Sequence, residues 1–345
     1  MTLSLLFCDP RCPGAPQRTT SRFGRGRIIL IMSIPHVSLD DVTAAADRIE
    51  PHIHRTPIAT SATLDEELGA SIFFKLENQQ KIGAFKARGA VNAVLQLDED
   101  AAARGVVTHS SGNHGQALAY GAAIRGLACT VVVPDDAPDV KVAAMRGYGA
   151  DVVLTSQADR VATMERVRAE SGATLVHPFN DVAVIAGQGT AALELLDQVP
   201  DLDVVIAPIG GGGLMSGTVV TVRSLRPTTR IVGAEPEQVD DAARSLASGI
   251  IQPATGKPTL ADGLRTSLGE LTFDILSAGA VEVVNVTEEA ILAAARFHLF
   301  RMKHLVEPSG ATGLAAIREL GVDLAGKRIG VIVSGGNTDL AWLER

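Results

Sequence analysis

The sequence predicts an α/β protein of two domains, each with a mainly parallel sheet flanked by helices, and three observations carry that prediction. From Thr56 onward, short β-branched runs alternate with longer stretches of helical period, the pattern of repeated strand-helix-strand units. Hydrophobic residues make up 46% of the chain but aromatic residues only 3%, so its cores must be Val, Ile, Leu and Ala, as in sheets buried on both faces. Several of the strands run straight into glycine- or serine-rich turns, where open α/β folds place their ligands.

In chain order, residues 1–31 stand apart. They carry Arg11, Arg18, Arg22, Arg25 and Arg27 against one acid, Asp9, and show no helix or strand period. Transit peptides share that composition; a disordered extension, or an initiation site placed too early, is the preferred reading. After Met32 a helix is expected from Ser38, its N-cap, with Asp41 three residues on. Strands are expected at 71–76, 105–109, 128–133, 151–154, 174–177, 204–207, 230–234, 281–284 and 328–333. Helices are expected at 87–97, 116–125, 140–148, 160–170, 183–198, 214–225, 288–302 and 311–320. So many strands crowd a single open sheet, and the loop His177-Pro-Phe-Asn-Asp181 marks a break. A small domain is therefore expected at 104–179, inserted into a larger one formed by 32–103 and 180–345.

Composition excludes several function classes. A formal net charge of -8 argues against a broad nucleic-acid surface. No apolar run approaches the ~18 residues of a membrane span. Cys8, Cys12 and Cys129 are too few for a disulfide framework or a thiolate zinc site, which points to a reducing, cytosolic compartment.

Four strand-to-helix turns carry the chemistry. In the first, Gly83-Ala-Phe-Lys86 opens a helix, so Lys86 sits against the positive end of the helix dipole. Desolvation there disfavours its charged form and makes the amine a candidate for carbonyl chemistry, although a solvated surface lysine is the commoner case. In the second, Ser110-Ser-Gly-Asn-His-Gly-Gln116 gathers hydroxyls, an amide and free backbone N–H groups at a helix start, an anion site suited to a carboxylate or an ordinary cap. In the third, Pro208-Ile-Gly-Gly-Gly-Gly213 leaves backbone amides unobstructed for a phosphate; it is neither a dinucleotide fingerprint nor a Walker loop. In the fourth, the hydroxyl of Ser334 in Ser334-Gly-Gly-Asn337 can bond a ring nitrogen or cap a turn. An amine nucleophile, a phosphate cradle, a carboxylate site and a neutral hydroxyl together suit pyridoxal 5'-phosphate and an amino-acid substrate.

With Glu307-Pro-Ser-Gly310, these stretches resemble the serine/threonine dehydratase family of fold-type II pyridoxal-phosphate enzymes, and within it the serine racemases most; the resemblance runs from about Ser38 to Leu340. It implies that Lys86 is the Schiff-base lysine, with Phe85 beside the ring. Asn113 would bond the ring hydroxyl, Gly210, Gly211, Gly212 and Gly213 the phosphate, and Ser334 the pyridine nitrogen. Ser110, Ser111, Asn113 and His114 would hold the substrate carboxylate, with Ser111 as the opposite-face acid/base of racemases. Arg160 and Thr266 fall where an arginine and a serine lie near the substrate, and Ala84 stands where the family commonly has serine.

The same resemblance implies a Mg²⁺ or Ca²⁺ site at Glu235, the carbonyl of Val239 and Asp241. From spacing alone, a strand-end Glu and an Asp capping the next helix is the preferred reading of that pair. The activity implied is an L-threonine or L-serine ammonia-lyase. Serine racemisation and threo-3-hydroxyaspartate elimination are alternatives, and a non-catalytic cofactor-binding regulator is the rival from another class. A homodimer is also implied. With six residues after Asp339, the regulatory domain of biosynthetic threonine dehydratases, and control by isoleucine, are not expected.

Overall fold

A computed structural model describes residues 34–345, so the expectations for residues 1–31 lie outside the described residues. The first helix, Leu39–Ile49, begins in a capping box: Asp41 N–H donates to Ser38 Oγ at 3.2 Å, and Ser38 N–H to Asp41 Oδ2 at 2.9 Å. Ten strands follow: β1 (Ile58–Ala59), β2 (Ser71–Leu76), β3 (Val106–His109), β4 (Cys129–Pro134), β5 (Asp151–Thr155), β6 (Thr174–Leu175), β7 (Val204–Pro208), β8 (Arg230–Pro236), β9 (Glu282–Val286) and β10 (Arg328–Val333). They form a six-stranded sheet, in the order β1-β2-β10-β7-β8-β9, and a four-stranded one, β5-β4-β3-β6. Every pairing is parallel except β1 with β2.

Strand β10 lies between β2 and β7, with Arg328 beside Ser71 and Ile329 beside Val204. Its side chains alternate between faces. Ile329, Val331 and Val333 pack with Phe74, Leu314 and Ile317, whereas Ile332 joins Ile185, Leu195 and Val219 on the other side. Both faces are thus covered by helices, which is why these strands read as unbroken apolar runs. Helices Val182–Gln198 and Gly213–Leu225 approach so closely that a Cβ on Gly217 would meet Gly189 N at 2.4 Å.

Differences from the expected elements have local causes. Helices expected from 116, 214 and 311 begin at Asn113, Gly213 and Pro308, because apolar periodicity does not register polar or glycine first turns. The strand expected at 174–177 stops at Leu175, since His177 Nδ1 accepts from Asn180 N–H and turns the chain. The helix expected at 288–302 is α-helical over Glu288–Phe297, then widens into a π-turn that ends at Lys303, φ 63°. Strand β1 and helices Ala62–Leu68, Glu99–Arg104 and Glu270–Ala278 were not expected; most are too short to establish a period.

Candidate active site

The turn before Lys86 is tied to the loop after β10. Ile82 and Gly83 both take positive φ, 58° and 72°. Asn337 Nδ2 donates to Ile82 O at 2.7 Å, Gly336 N–H to Gly83 O at 2.9 Å, and Phe85 N–H to Ser334 O at 3.0 Å. Lys86 then opens helix Lys86–Leu95. Two residues on, the fully buried Arg88 anchors the same turn, its Nε donating to Glu77 Oε2 at 2.7 Å and its Nη1 to Glu194 Oε1 at 2.8 Å. Glu194 also pairs with buried Lys75, so no charge in this network lacks a partner. Lys86 Nζ donates to Pro178 O at 2.6 Å, and burial lowers its pKa from 10.5 to about 7. A large share of this amine is therefore neutral at pH 7.

Lys86 faces a cavity of about 200 Å³. Lining it are Phe85, Ser110, Ser111, Asn113, His114, Arg160, all four glycines 210–213, Thr266 and Ser334, so the four turns do meet in one place. Ser111 and Thr266 are exposed at its walls, whereas Ser334 is buried. Ser110 Oγ accepts from Gly112 N–H at 3.1 Å and shapes the turn into helix Asn113–Arg125. His114 contacts Val176 O through Nε2 at 3.0 Å, and burial holds the ring well below its usual pKa, hence neutral. With Nε2 as donor, Nδ1 is left an acceptor, so the contribution of His114 to an anion site reduces to its backbone N–H. Arg160 heads helix Arg160–Ser171. Among the described residues its Nε is buried without a hydrogen-bond partner, and the carboxylate of Asp136 favours its charged form.

The glycine run fits a phosphate because it admits no side chains. A Cβ on Gly210 would lie 3.0 Å from Leu264 Cα, on Gly211 2.3 Å from the Phe179 ring, on Gly212 2.8 Å from Thr272 Cβ, and on Gly213 2.5 Å from Gln188 Oε1. Gly212 also has φ +88°. Thr272 Oγ1 donates to Gly211 O at 2.9 Å, which fixes that planar peptide and with it the direction of the Gly212 N–H. Helix Gly213–Leu225 adds first-turn N–H groups with no intrahelical partner. A neutral-capable amine, a bare backbone cradle and a buried hydroxyl in one cavity match the donor set that pyridoxal phosphate requires.

Sequence reasoning missed several residues of this site. Pro178 and Phe179 belong to a loop read only as a domain break, yet one holds Lys86 and the other abuts Gly211 and Gly213. Thr272 lies in an unexpected helix. Lys141 forms an ion pair with Asp262 from the other sheet's side of the cavity, and both line it. Glu307, quoted as part of a motif but given no role, is buried, and its carboxyl accepts from Asn113 Nδ2 at 2.7 Å.

Glu235, Val239 and Asp241 lie apart from the cavity, after β8. Glu235 accepts from Ala242 N–H at 2.7 Å and Ala243 N–H at 3.0 Å, so it, and not Asp241, caps helix Asp241–Ser248. The capping role expected of Asp241 is thereby corrected: both its carboxylate oxygens are buried with no partner on another of the described residues. Burial raises Glu235 to about 7 and Asp241 to about 6. Orphaned oxygens beside a second carboxylate fit a hard divalent cation. Among the described residues, no cluster of three or more His, Cys, Asp or Glu side chains forms a metal site.

No helix among the described residues is long and apolar enough to cross a membrane. Comparison with known proteins agrees with the cavity's chemistry. Residues 49–335 match the family model described as pyridoxal-phosphate dependent enzyme. A serine racemase of Dictyostelium discoideum is 49% identical over 316 residues, covering 90% of this chain and 97% of that protein. A beta-hydroxyaspartate dehydratase of Paracoccus denitrificans is 48% identical over 311 residues, 90% of this chain and 98% of its own length. Among solved structures, the T.th. threonine deaminase superposes with a TM-score of 0.84 at 45% identity, covering 88% of this chain and 99% of that one. The chain therefore belongs to the pyridoxal-phosphate dependent enzymes, in the fold-type II group that holds serine racemases, hydroxyaspartate dehydratases and threonine ammonia-lyases.

Proposed function

We propose that this enzyme is an ammonia-lyase that dehydrates L-threonine or L-serine to a 2-oxo acid and ammonia. The observation that carries the reading is the Lys86 amine, near pKa 7, sharing one cavity with the bare glycine cradle and the neutral Ser334 hydroxyl. When bound, pyridoxal phosphate supplies an aldehyde for the substrate amine and a ring that delocalises charge from Cα. Gly210–213 would hold its phosphate, Asn113 its ring hydroxyl, Ser334 its pyridine nitrogen and Phe85 one flank.

The protein's own residues do the rest. Ser110, Ser111 and the N–H groups at the start of helix Asn113–Arg125 orient the substrate carboxylate. Lys86 takes the Cα proton. The Cβ–O bond then breaks, hydroxide leaves as water after gaining a proton, and the released enamine hydrolyses to the 2-oxo acid and ammonia. A hydroxyl at position 334, unlike a carboxylate, does little to keep a ring nitrogen protonated, and this favours prompt loss of the β-substituent over a long-lived carbanion. Glu235, Val239 O and Asp241 would hold Mg²⁺ or Ca²⁺ in a structural role, away from the reacting atoms.

Two observations favour further activities at the same site. Ser111 is exposed at the cavity wall, and the racemisation reading assigns its hydroxyl the proton return on the face opposite Lys86. Arg160, with its unpartnered Nε, offers a second carboxylate a partner, as threo-3-hydroxyaspartate requires. One experiment separates the readings: L-threonine, L-serine, D-serine and threo-3-hydroxyaspartate are each incubated with the enzyme while 2-oxo acid and enantiomer composition are followed. Oxo-acid release from L-threonine or L-serine faster than racemisation supports the proposal. Turnover of hydroxyaspartate alone, or racemisation without oxo acid, overturns it.

A further inference from the structure

Glu307 is a buried acid in the cavity wall that the reaction above does not use. It precedes helix Pro308–Leu320, and its carboxyl lies so close to Gly335 that a Cβ there would come within 2.3 Å of Oε1. The direction of its hydrogen bonds can be traced from a fixed starting point. Ile82 O is a backbone carbonyl and can only accept, so the atom of Asn337 that faces it at 2.7 Å is the amide nitrogen. That same nitrogen lies 2.8 Å from the Asn113 side chain, which must therefore turn its oxygen toward Asn337. Asn113 Nδ2 is then the donor to Glu307 Oε1, at 2.7 Å. Since Oε1 accepts, a proton on this carboxyl sits on Oε2, for which the described residues supply no hydrogen bond, and Glu307 lines the cavity.

We propose that Glu307 is a further cofactor-facing residue: its Oε2–H is offered to the ring oxygen that Asn113 would also reach, and Asn337 fixes the direction of both. Two donors on that oxygen favour its ionised form and tie the ring more firmly than Asn113 alone. Burial raises Glu307 from 4.5 to about 8, so the carboxyl carries its proton at neutral pH. Of the groups facing it, Asp262, from the loop ahead of helix Glu270–Ala278, pushes it further up. Lys141, on helix Asp139–Gly147, pulls it down, and the Asn113 amide favours the anion. The Lys86 amine and the neutral His114 line the same cavity. Above about pH 8 the donor is lost and a negative charge takes its place beside an oxyanion.

The inference rests on the cavity being the cofactor site, and the test keeps the two apart. Pyridoxal phosphate is titrated into apo protein from pH 6 to pH 9.5, reading its equilibrium affinity and the absorption of the bound form. The wild-type chain is expected to lose affinity, with a change in the bound spectrum, as pH rises beyond about 8, where the carboxyl of the empty site gives up its proton. Glu307→Gln keeps an N–H donor at the same place but cannot titrate, so it should bind within a few-fold of wild type at pH 7 and lack that transition. Glu307→Ala should bind ~10- to 100-fold more weakly, the scale of one hydrogen bond to a charged group. Asn337→Ala, which frees Asn113 to reverse, should shift affinity in the same direction. A Glu307→Gln protein with the wild-type pH transition, or a folded Glu307→Ala protein with wild-type affinity, overturns the proposal alone. A wild-type chain that acquires no absorption band overturns the cofactor reading as well.

Discussion

Gly211→Ala tests the cradle directly, because the structure states what the added methyl would meet. Its Cβ would lie 2.3, 2.4 and 2.5 Å from Cδ1, Cε1 and Cγ of Phe179, where carbon atoms rest at ~3.5–4 Å. Relief requires the ring to retreat by roughly 1 Å. Phe179 is also packed edge-to-face with His177, ring centroids 4.6 Å apart, so its retreat disturbs that pair. The displacement also bears on Pro178, whose carbonyl holds Lys86. Overpacking of this kind costs ~1–3 kcal/mol. That cost falls on the folded chain and lowers the apo Tm; the part that the displaced cradle relieves only when empty weakens affinity, up to ~100-fold at about 1.4 kcal/mol per decade. The assay is a pyridoxal phosphate titration of apo protein beside thermal melts with and without the cofactor. Gly211→Ala should show weaker binding and a smaller cofactor-induced rise in Tm. Gly147→Ala is the control: its Cβ meets nothing within 4 Å, so it should raise stability by ~0.5–1 kcal/mol, the usual helix advantage of alanine over glycine. Wild-type affinity and an undiminished rise in Tm for Gly211→Ala would refute the reasoning.

Three further outcomes are expected. Lys86 has a folded pKa of about 7, below the unfolded 10.5, so the unfolded chain binds the extra proton between those values and stability of the apo protein rises with pH across them. Lys86→Met should accordingly raise Tm more at pH 6 than at pH 9.5 and abolish oxo-acid formation; equal rises at both pH values would contradict the burial of a charged amine. Ser111→Ala should remove racemisation while elimination from L-threonine or L-serine survives with KM raised ~10- to 100-fold, one hydrogen bond to a carboxylate; undiminished racemisation would show that another group acts on the opposite face. Chelation should lower Tm and Mg²⁺ or Ca²⁺ restore it, with Glu235→Ala indifferent to both; a wild-type melt unmoved by chelator would leave Glu235 as a helix cap alone.

The sequence was most legible where function depends on neighbours along the chain. Strands β2 and β10 fall at the expected residues, and the four turns meet at one cavity, each at the C-terminal end of its strand: three after β2, β7 and β10 of one parallel sheet, the serine loop after β3 of the other. Lys86 was placed correctly at a helix start, but the cause of its altered acidity was only half visible. The dipole argument is local, whereas the burial that lowers its pKa comes from the chain around Pro178, ninety-two residues on. The Arg88, Glu77, Glu194 and Lys75 network was invisible for the same reason: each residue alone looks like a surface charge. Asp241 misled in the other direction. A carboxylate at a helix start reads as a cap, yet Glu235, reaching across from a strand end, occupies the N–H groups first.

Strand β10 has a consequence for how the protein is made. It fills the gap between β2 and β7, so the six-stranded sheet cannot close until residues 328–333 have left the ribosome. Until then β2 and β7 each present a bare apolar edge, the surface through which nascent chains aggregate. The four-stranded sheet is assembled from a continuous stretch and needs nothing made later than β6. Translation order therefore separates two folding events: an early one that supplies the serine loop, and a late one in which a single strand joins the sheet and brings Ser334 and Asn337 against the turn of Lys86. A ribosome paused before β10 holds a chain with its lysine, its glycine run and its serine loop already synthesised, but with no floor on which to assemble them.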